Sequence, residues 1–217
     1  MNLPEDVPLS DAPFTPQQWR SGELASPLGY EPAQARRLLD EAGWREPSAG
    51  AVRLRAGAPF RFAMVLEKAD ETEAVLIQAA LRRVGVDMQL RVLERQAARS
   101  RVFEAADFDA ALFAFCQRPW TPCGLVAWFG AESRLGYRNP EVARLLDSLA
   151  TYSYLDADEP RALYRKLEPH FQADLPMTFL YPVTHFFVAH RRVRGLSSPH
   201  RANPVESMEK LWLDDKR

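Results

Sequence analysis

Three strand-like segments separated by two helical patterns constrain the fold of this chain more than any other feature. Residues 60–66 and 86–92 alternate along their length in the two-residue period of a strand. Residues 108–115 are apolar almost throughout, which predicts a central strand covered on both faces. Helical patterns over residues 70–84 and 95–104 connect the three segments. This order predicts a parallel sheet, because such crossover connections are right-handed and return each strand in the same direction.

The ends of the predicted helices carry the expected residues. Pro32 lies in the first turn of an earlier helix, and Gly43 ends it. Asp70 is predicted to cap the next helix, with Glu73 at the capping-box position and Gly85 beyond its last turn. Helical spacing predicts the buried faces to be Ala35, Leu38, Leu39 and Ala42 in the earlier helix, and Ala74, Ile77, Leu81 and Val84 in the next.

The C-terminal half continues this pattern with less regularity. Helices are predicted over residues 140–151 and 157–173, and Pro169 is expected to kink the second helix or to end it early. Residues 177–181 and 185–190 have the composition of strands. The fold class predicted from these elements is α/β.

Composition sets broad limits on function. The chain has 217 residues, 47% of them hydrophobic and 26% charged, and a net charge of −1, as in an ordinary soluble protein. A balance this even predicts no electrostatic surface for nucleic acid or for an anionic membrane. No apolar stretch reaches the ~20 residues of a membrane span. The first eight residues have neither a basic nor an apolar region, so we expect no signal peptide in this chain.

The predicted ligand site follows the apolar segment at residues 108–115. In open parallel sheets, ligands bind at the carboxyl ends of the strands. Phe115 and Trp120 would supply flat apolar walls there, and Arg118 would offer a bidentate fork to a carboxylate. The alternative is that Trp120 packs beneath neighbouring prolines while Arg118 is merely solvated. Trp128 is a further candidate, either as a ligand wall or as a core residue.

Other kinds of site have little support. Cys116 and Cys123 are either two free thiols or a disulfide, since the segment between them is long enough to double back. His185 and His190 are five residues apart in a predicted strand and would point to opposite faces, so we expect no metal site. No nucleophile elbow and no glycine-rich phosphate loop is present, and we expect neither an enzyme nor a cofactor.

Several phrases of the C-terminal half, taken in order, resemble a known family. They occupy residues 107–115, 136–147, 161–168, 174–182 and 191–196. Together they resemble the C-terminal part of family 5 extracellular solute-binding proteins, the peptide- and nickel-type receptors of ABC importers. The resemblance implies the C-terminal lobe of a type II periplasmic-binding-protein-like fold, with a mostly parallel sheet flanked by helices. The chain is less than half as long as a full member of that family.

The resemblance also implies a domain plan and a function. Residues 1–30, with five prolines, would form an extended segment between lobes, residues 31–190 the solute-binding lobe, and residues 191–217 an irregular tail. The function implied is capture of a peptide or another small ligand outside the cytoplasm, in the periplasm or extracellular space, for an ABC permease. In peptide-binding members an aspartate that grips the ligand's amino group follows the aromatic residue. Arg118 stands at that position here, which reverses the charge.

Two alternatives remain open at this point. Some transcriptional regulators carry a solute-binding-like half as a ligand-sensing domain, and a helix-turn-helix encoded upstream would favour that function. A truncated interaction domain would instead use the vacated lobe interface to form a homodimer, because apolar residues would be left exposed there.

Overall fold

The computed structural model describes residues 29–114, 123–133, 135–151, 158–181, 189–195 and 210–214, without the side chains of Cys123 and residues 158–161. By the packing of its backbone the chain divides into two compact units. The sheet unit comprises residues 25–115 and 132–137, and the helical unit comprises residues 1–24, 116–131 and 138–217. These units have other boundaries than the predicted domain plan, which divides the chain at residues 30 and 190. That domain plan stays a prediction.

The helices and strands alternate through the sheet unit and give way to helices in the other unit. The helices are α1 (Pro32–Glu41), α2 (Glu71–Arg82), α3 (Arg95–Arg99), α4 (Cys123–Phe129), α5 (Pro140–Thr151) and α6 (Asp158–Asp174); the strands are β1 (Leu54–Arg55), β2 (Ala58–Pro59), β3 (Arg61–Glu67), β4 (Asp87–Leu93), β5 (Ala110–Leu112), β6 (Val193–Arg194) and β7 (Trp212–Leu213). A 3₁₀ turn over Lys68–Asp70 precedes α2, and a π-helical turn over Ser100–Glu104 continues α3.

The main sheet has the strand order β4-β3-β5, and both pairs are parallel. In its register Val65 lies between Arg91 of β4 and Ala111 of β5. The predicted parallel sheet is therefore confirmed. The prediction that residues 108–115 form its central strand is wrong for the described sheet, where β5 is a three-residue edge strand. The central position belongs to β3, because it is the strand that bonds to a neighbour on each side.

Helices cover both faces of this sheet. Val65 and Leu66 point to opposite faces, and their exposed fractions are 1% and 0%. On one face α2 packs against β3 and β4, with the Gln78 side chain donating a hydrogen bond to the Met88 carbonyl at 2.7 Å. The predicted inner face of α2 is confirmed, since Ala74 is buried and its companions are buried or half-buried: Ile77, Leu81 and Val84.

The other face carries the core cluster of the sheet unit. Val65 packs there with Ala98 of α3 and Val102 of the π-helical turn. Partly buried side chains surround these three: Leu93, Phe103, Phe108, Ala111 and Phe113. The short helical segment predicted over residues 95–104 therefore forms and brings its apolar side against the sheet.

Helix α1 has the predicted ends but not the predicted burial. It begins at Pro32, and Gly43 follows it at a φ of 85°. No residue of α1 is buried, and Leu38 is 50% exposed. The predicted apolar face of α1 is therefore wrong in part, with Ala35 and Leu39 half-buried and Leu38 and Ala42 exposed. Polar contacts fasten this helix to the rest of the sheet unit instead.

Arg53 supplies the principal polar contact. Its side chain is buried, and its Nε donates to the carbonyl of Val84 at 2.8 Å. Its Nη1 donates to a carboxylate oxygen of Asp40 in α1 and to the carbonyl of Trp44, each at 2.7 Å. Its backbone N–H donates to the carbonyl of Gly85. One side chain thus ties α1, the segment that follows it and the end of α2 together.

The helical unit is built from α4, α5 and α6. The side chain of Asn139 accepts hydrogen bonds from the N–H groups of Glu141 and Val142 and so caps α5. Helix α6 runs through Pro169 to Asp174, so of the two predicted effects of this proline the early end is wrong and the kink stays a prediction. The core residues of α5 and α6 follow helical spacing: Val142, Leu145, Leu146, Leu149, Tyr164, Leu167 and Phe171.

Two C-terminal predictions need correction. Residues 177–181 form no strand, and no ladder partner faces them among the residues that the structure describes. The tail predicted to be irregular contains an antiparallel pair, in which Val193 lies opposite Leu213 and Arg194 opposite Trp212. The predicted strand at 185–190 and the extended segment at 1–30 fall almost entirely outside the described residues.

Candidate functional site at the carboxyl edge of the parallel sheet

The carboxyl ends of the three parallel strands define one edge of the sheet. β3 ends at Glu67, β4 at Leu93 and β5 at Leu112. The register aligns these ends, with Glu67 opposite Leu93 and Leu66 opposite Leu112. Strand ends that share an edge bring the residues that follow them together, so this is the edge at which a ligand would be held.

Most of the sequence-predicted site residues follow β5 but cannot be placed. Phe115, Cys116, Arg118 and Trp120 lie outside the described residues, which stop at Ala114 and resume at Cys123. Cys123 begins α4, and its side chain is not described. The proposed roles of Phe115, Arg118 and Trp120 therefore stay predictions. So does the choice between a disulfide and two free thiols for Cys116 and Cys123.

Trp128 is placed, in α4 of the helical unit. Its neighbours Leu125 and Phe129 are 0% and 1% exposed, and the Phe129 ring meets the Phe171 ring edge-on at 4.8 Å between centroids. Trp128 itself is half-buried. Leu125 and Phe129 are one helical turn apart and form the inner face of α4, which leaves part of Trp128 accessible. The choice between ligand wall and core therefore stays open for Trp128, whereas its neighbour Phe129 belongs to the core.

A charged cluster follows β3 and β4 at the same edge. Arg95 lies 3.1 Å from a carboxylate oxygen of Glu67, whose side chain is 15% exposed. Asp70 and Glu73 follow Glu67 at three-residue intervals across the 3₁₀ turn and the start of α2. Three carboxylates and one guanidinium give the cluster a formal charge of −2, which favours a cationic group of a ligand.

The electrostatics of this cluster converge on Asp70. Partial burial raises the pKa of Asp70, and the carboxylates of Glu67 and Glu73 raise it further. The guanidinium of Arg95 acts in the opposite direction, and the pKa remains above the ordinary value of 3.8. Asp70 therefore holds a proton more readily than an isolated aspartate does.

Sequence reasoning missed this cluster because it assigned two of its members to helix capping. Asp70 is the N-cap residue of α2, as predicted, but its side chain makes no capping hydrogen bond. The pattern that would have revealed the cluster is the spacing of Glu67, Asp70 and Glu73 directly after a predicted strand. Carboxylates at that spacing in a turn and a helix start lie on one side of the chain.

Two further findings concern only the part of the chain that the structure describes. Within those residues, no three histidine, cysteine, aspartate or glutamate side chains are grouped as a metal ion would require. No described helix combines the length and the apolar character needed to cross a bilayer.

Comparison with known proteins decides the family. Residues 3–137 match the profile of the bacterial extracellular solute-binding proteins, family 5 Middle. The chain belongs to family 5 of these solute-binding proteins. The match covers the whole β3–β5 sheet, whereas the family-like phrases from residue 138 onward lie beyond it.

Curated relatives of this family 5 protein are longer binding proteins. The oligopeptide-binding protein AppA of Bacillus subtilis is 23% identical, with 97% of this chain and 40% of AppA covered. The nickel-binding periplasmic protein of Escherichia coli is 31% identical over 38% of this chain and 16% of its own length. The family 5 chain therefore spans less than half the length of these relatives.

Solved structures show the same fold. The structure of Bacillus subtilis AppA in complex with a nonapeptide covers 97% of this chain with a TM-score of 0.77, at 21% identity and over 43% of its own chain. Campylobacter jejuni NikZ in complex with Ni(L-His) covers 94% with a TM-score of 0.72, at 15% identity and over 43% of its chain. The predicted α/β, type II periplasmic-binding-protein-like fold is confirmed.

Proposed function

We propose that this chain is one lobe of a two-lobe receptor that captures a peptide-like or other small solute for import by an ABC transporter. The observation that supports this most is the parallel β4-β3-β5 sheet, whose aligned carboxyl edge lies in a chain of family 5. The relatives are named for binding oligopeptides and nickel, and neither name denotes an enzyme. Capture requires no covalent chemistry, and it would take place in the periplasm or outside the cell.

The proposed ligand contacts are the residues that follow β5, together with one from α4. Phe115 and Trp120 would enclose the apolar part of the ligand, and Trp128 has an accessible part for the same purpose. Arg118 would hold a carboxylate through two parallel N–H···O bonds. A ligand with an acidic group is therefore the preferred candidate.

The charged cluster at the edge supports the opposite preference, which makes the proposal testable. Its formal charge of −2, from Glu67, Asp70, Glu73 and Arg95, would favour a ligand amine. If Arg118 dominates, acidic peptides bind better, whereas basic peptides bind better if the cluster dominates. A larger shift with the basic peptide would count against Arg118 as the ligand contact.

Affinity depends on the second lobe in this proposal. Receptors of this kind bind by closing two lobes around the solute, which shifts an equilibrium between open and closed forms. The chain spans 40% of the length of AppA, so one lobe alone would offer about half of the enclosing surface. Its binding should be weak by itself, and docking on a permease is proposed only for the intact receptor.

The test is a set of thermal-shift titrations with two peptides that differ only in the sign of their side-chain charges. Stabilisation by the acidic peptide should exceed that by the basic one, and Arg118→Asp should reverse the order. Arg82→Asp is the matched control, because Arg82 is an exposed arginine without an ion pair among the described residues. Equal shifts with both peptides, or no effect of Arg118→Asp, would refute the placement of the ligand.

A further inference from the structure

A small cavity lies in the sheet unit, on the face of the sheet that carries Val65. Its volume is about 210 Å³, and it is lined by Ala63 and Val65 of β3, Arg91 of β4 and residues 106–109, which lead into β5. Sites for drug-sized ligands have volumes of about 300 Å³ or more, so this cavity fits a smaller molecule. It differs from the proposed solute site, which involves residues that follow β5.

The floor of the cavity is set by the strand register. Val65 lies between Arg91 and Ala111 on the same face, and Ala63 lies two residues earlier on that face. The methyl group of Ala63 leaves room above the sheet that a longer side chain would fill. Ala98 of α3 and Val102 of the π-helical turn pack against Val65. Neither residue lines the cavity.

The wall formed by residues 106–109 is fixed by several contacts. Ala106 has a φ of 52°, which turns the chain after the π-helical turn. The carboxylate of Asp107 lies 2.5 Å from the guanidinium of Arg101, and Phe108 packs against the core cluster. One oxygen of Asp109 accepts a hydrogen bond from the backbone N–H of Ala63 at 3.0 Å. The wall is thus held in place by the protein itself.

Two charged side chains of the lining, Arg91 and Asp109, have donors or acceptors that bond to no other described residue. Arg91 is exposed and has no ion pair or hydrogen bond within the described part of the chain. The second oxygen of Asp109 likewise has no partner there, because the described contacts of this carboxylate end with the bond from Ala63. One cation and one carboxylate acceptor therefore face the same cavity from β4 and from the start of β5.

We propose that this cavity binds a free α-amino acid as its zwitterion, separately from the solute captured between lobes. The ligand carboxylate pairs with the guanidinium of Arg91, and the ligand ammonium donates to the second oxygen of Asp109, because the carboxylate of Asp107 is already paired with Arg101. An anion alone would meet the carboxylate of Asp109, and a cation alone would meet Arg91, so a dipolar molecule satisfies the lining best. The volume limits the ligand to about one amino acid.

The test is an NMR titration of the ¹⁵N-labelled chain with three probes: L-alanine, its cationic amide and its anionic N-acetyl derivative. L-Alanine should shift the amide signals of Ala63, Arg91 and residues 106–109, and the two single-charge probes should bind about tenfold more weakly or worse. Arg91→Gln and Asp109→Asn should each weaken L-alanine binding by about tenfold or more. Arg82→Gln, on another part of the sheet unit, should leave the affinity unchanged.

The variants are chosen so that folding does not confuse the result. Asn at position 109 keeps a carbonyl acceptor for the Ala63 N–H, and Arg91 makes no described contact that Gln would break. Unchanged spectra of the variants without ligand verify the fold. Absence of shifts with L-alanine, equal binding of all three probes, or no effect of Arg91→Gln would overturn the proposal. None of these outcomes bears on Arg118, because that residue is tested separately with peptides.

Discussion

Arg53 and Asp40 form an ion pair of 2.7 Å in which the arginine side chain is 2% exposed and the aspartate side chain 43% exposed. The guanidinium also donates to two backbone carbonyls, those of Trp44 and Val84. A charge removed from water to this extent costs several kcal/mol unless its donors are satisfied. Asp40 and the two carbonyls satisfy Nε and Nη1 of Arg53, Nη2 lies 4.0 Å from a carboxylate oxygen of Glu46, and α1 is held through this side chain.

Replacing Arg53 should therefore destabilise the sheet unit far more than replacing its partner. Arg53→Met leaves the carbonyls of Val84 and Trp44 without their donor, and we expect a loss of about 3 kcal/mol in the free energy of unfolding. Asp40→Asn keeps an acceptor oxygen at a half-exposed position, and we expect a loss of about 1 kcal/mol. Urea unfolding followed by circular dichroism measures both.

The neighbouring pair Arg37–Glu41 is the matched control. It has a similar separation of 2.6 Å within α1, but its side chains are 61% and 56% exposed. Arg37→Met should change stability by no more than about 0.5 kcal/mol, because solvent screens such a pair. A loss as large as that of Arg53→Met would show that burial does not govern the effect.

Gly85 should tolerate alanine much less well than Gly57 does. Both have a positive φ, 80° and 82°, so both variants incur the cost of a left-handed alanine. A Cβ on Gly85 would also lie 2.8 Å from the Cγ of Arg53 and 3.1 Å from the Ala51 carbonyl, while a Cβ on Gly57 meets nothing. We expect about 1 kcal/mol for Gly57→Ala and about 1–3 kcal/mol more for Gly85→Ala, measured by urea unfolding. Equal losses would contradict the proposed clash.

Asp70 should make stability fall as pH rises. Its pKa is raised in the folded state, so the folded chain binds this proton more tightly than the unfolded chain does. The contribution is full below the ordinary pKa of 3.8 and is lost as pH rises through the raised folded value. Asp70→Asn should therefore be more stable than the wild type at neutral pH, with the difference shrinking as pH falls towards 3.8. Unfolding free energies measured across this range test the sign.

Glu141 provides a control of the opposite sign. The hydrogen bond from Arg144 lowers the pKa of Glu141 below its ordinary value of 4.5, so its contribution is present above that value and lost as pH falls. Glu141→Gln should therefore have a lower free energy of unfolding than the wild type at neutral pH, and this difference should shrink as pH falls. The same slope for the Asp70 and Glu141 variants would contradict the assignment for Asp70.

The edge-on contact of Phe129 with Phe171 should stabilise the helical unit beyond simple burial. The rings are 4.8 Å apart, and both residues are 1% exposed. Leucine at either position should cost about 1–3 kcal/mol, and a double-mutant cycle should give a coupling of about 0.5–1.5 kcal/mol. Thermal unfolding of the four proteins measures it, and additive losses would mean that the ring geometry contributes nothing.

Local pattern was enough to predict most elements of the sheet unit. The segment at residues 60–66 became β3 at Arg61–Glu67, and the segment at 86–92 became β4 at Asp87–Leu93. Side-chain periods of two and 3.6 residues depend only on neighbours in the chain, which is why these predictions were close. The parallel direction followed from the connections. The family was likewise visible in the order of short phrases.

Features that depend on distant residues were not predictable in this way. The charged cluster at Glu67, Asp70 and Arg95 joins the ends of two strands, and the sequence showed part of it only as a helix cap. The strand predicted over residues 177–181 did not form, since a strand needs a partner that its own residues do not specify. Arg53 gave no sign of burial, because its partners lie 9 to 31 residues away.

The amino-acid sequence by itself determined the strands β3 and β4, the helical segments that connect β3, β4 and β5, and the parallel direction of this sheet. Only the tertiary structure decided that β3 is central among the described strands, that β5 lies at the edge of that described sheet, and that Arg53 is buried beside Gly85. The physical reason is that hydrophobic periodicity acts between residues a few positions apart. Strand order, burial of a charge and the volume of a cavity are instead set by contacts between segments that the chain brings together when it folds.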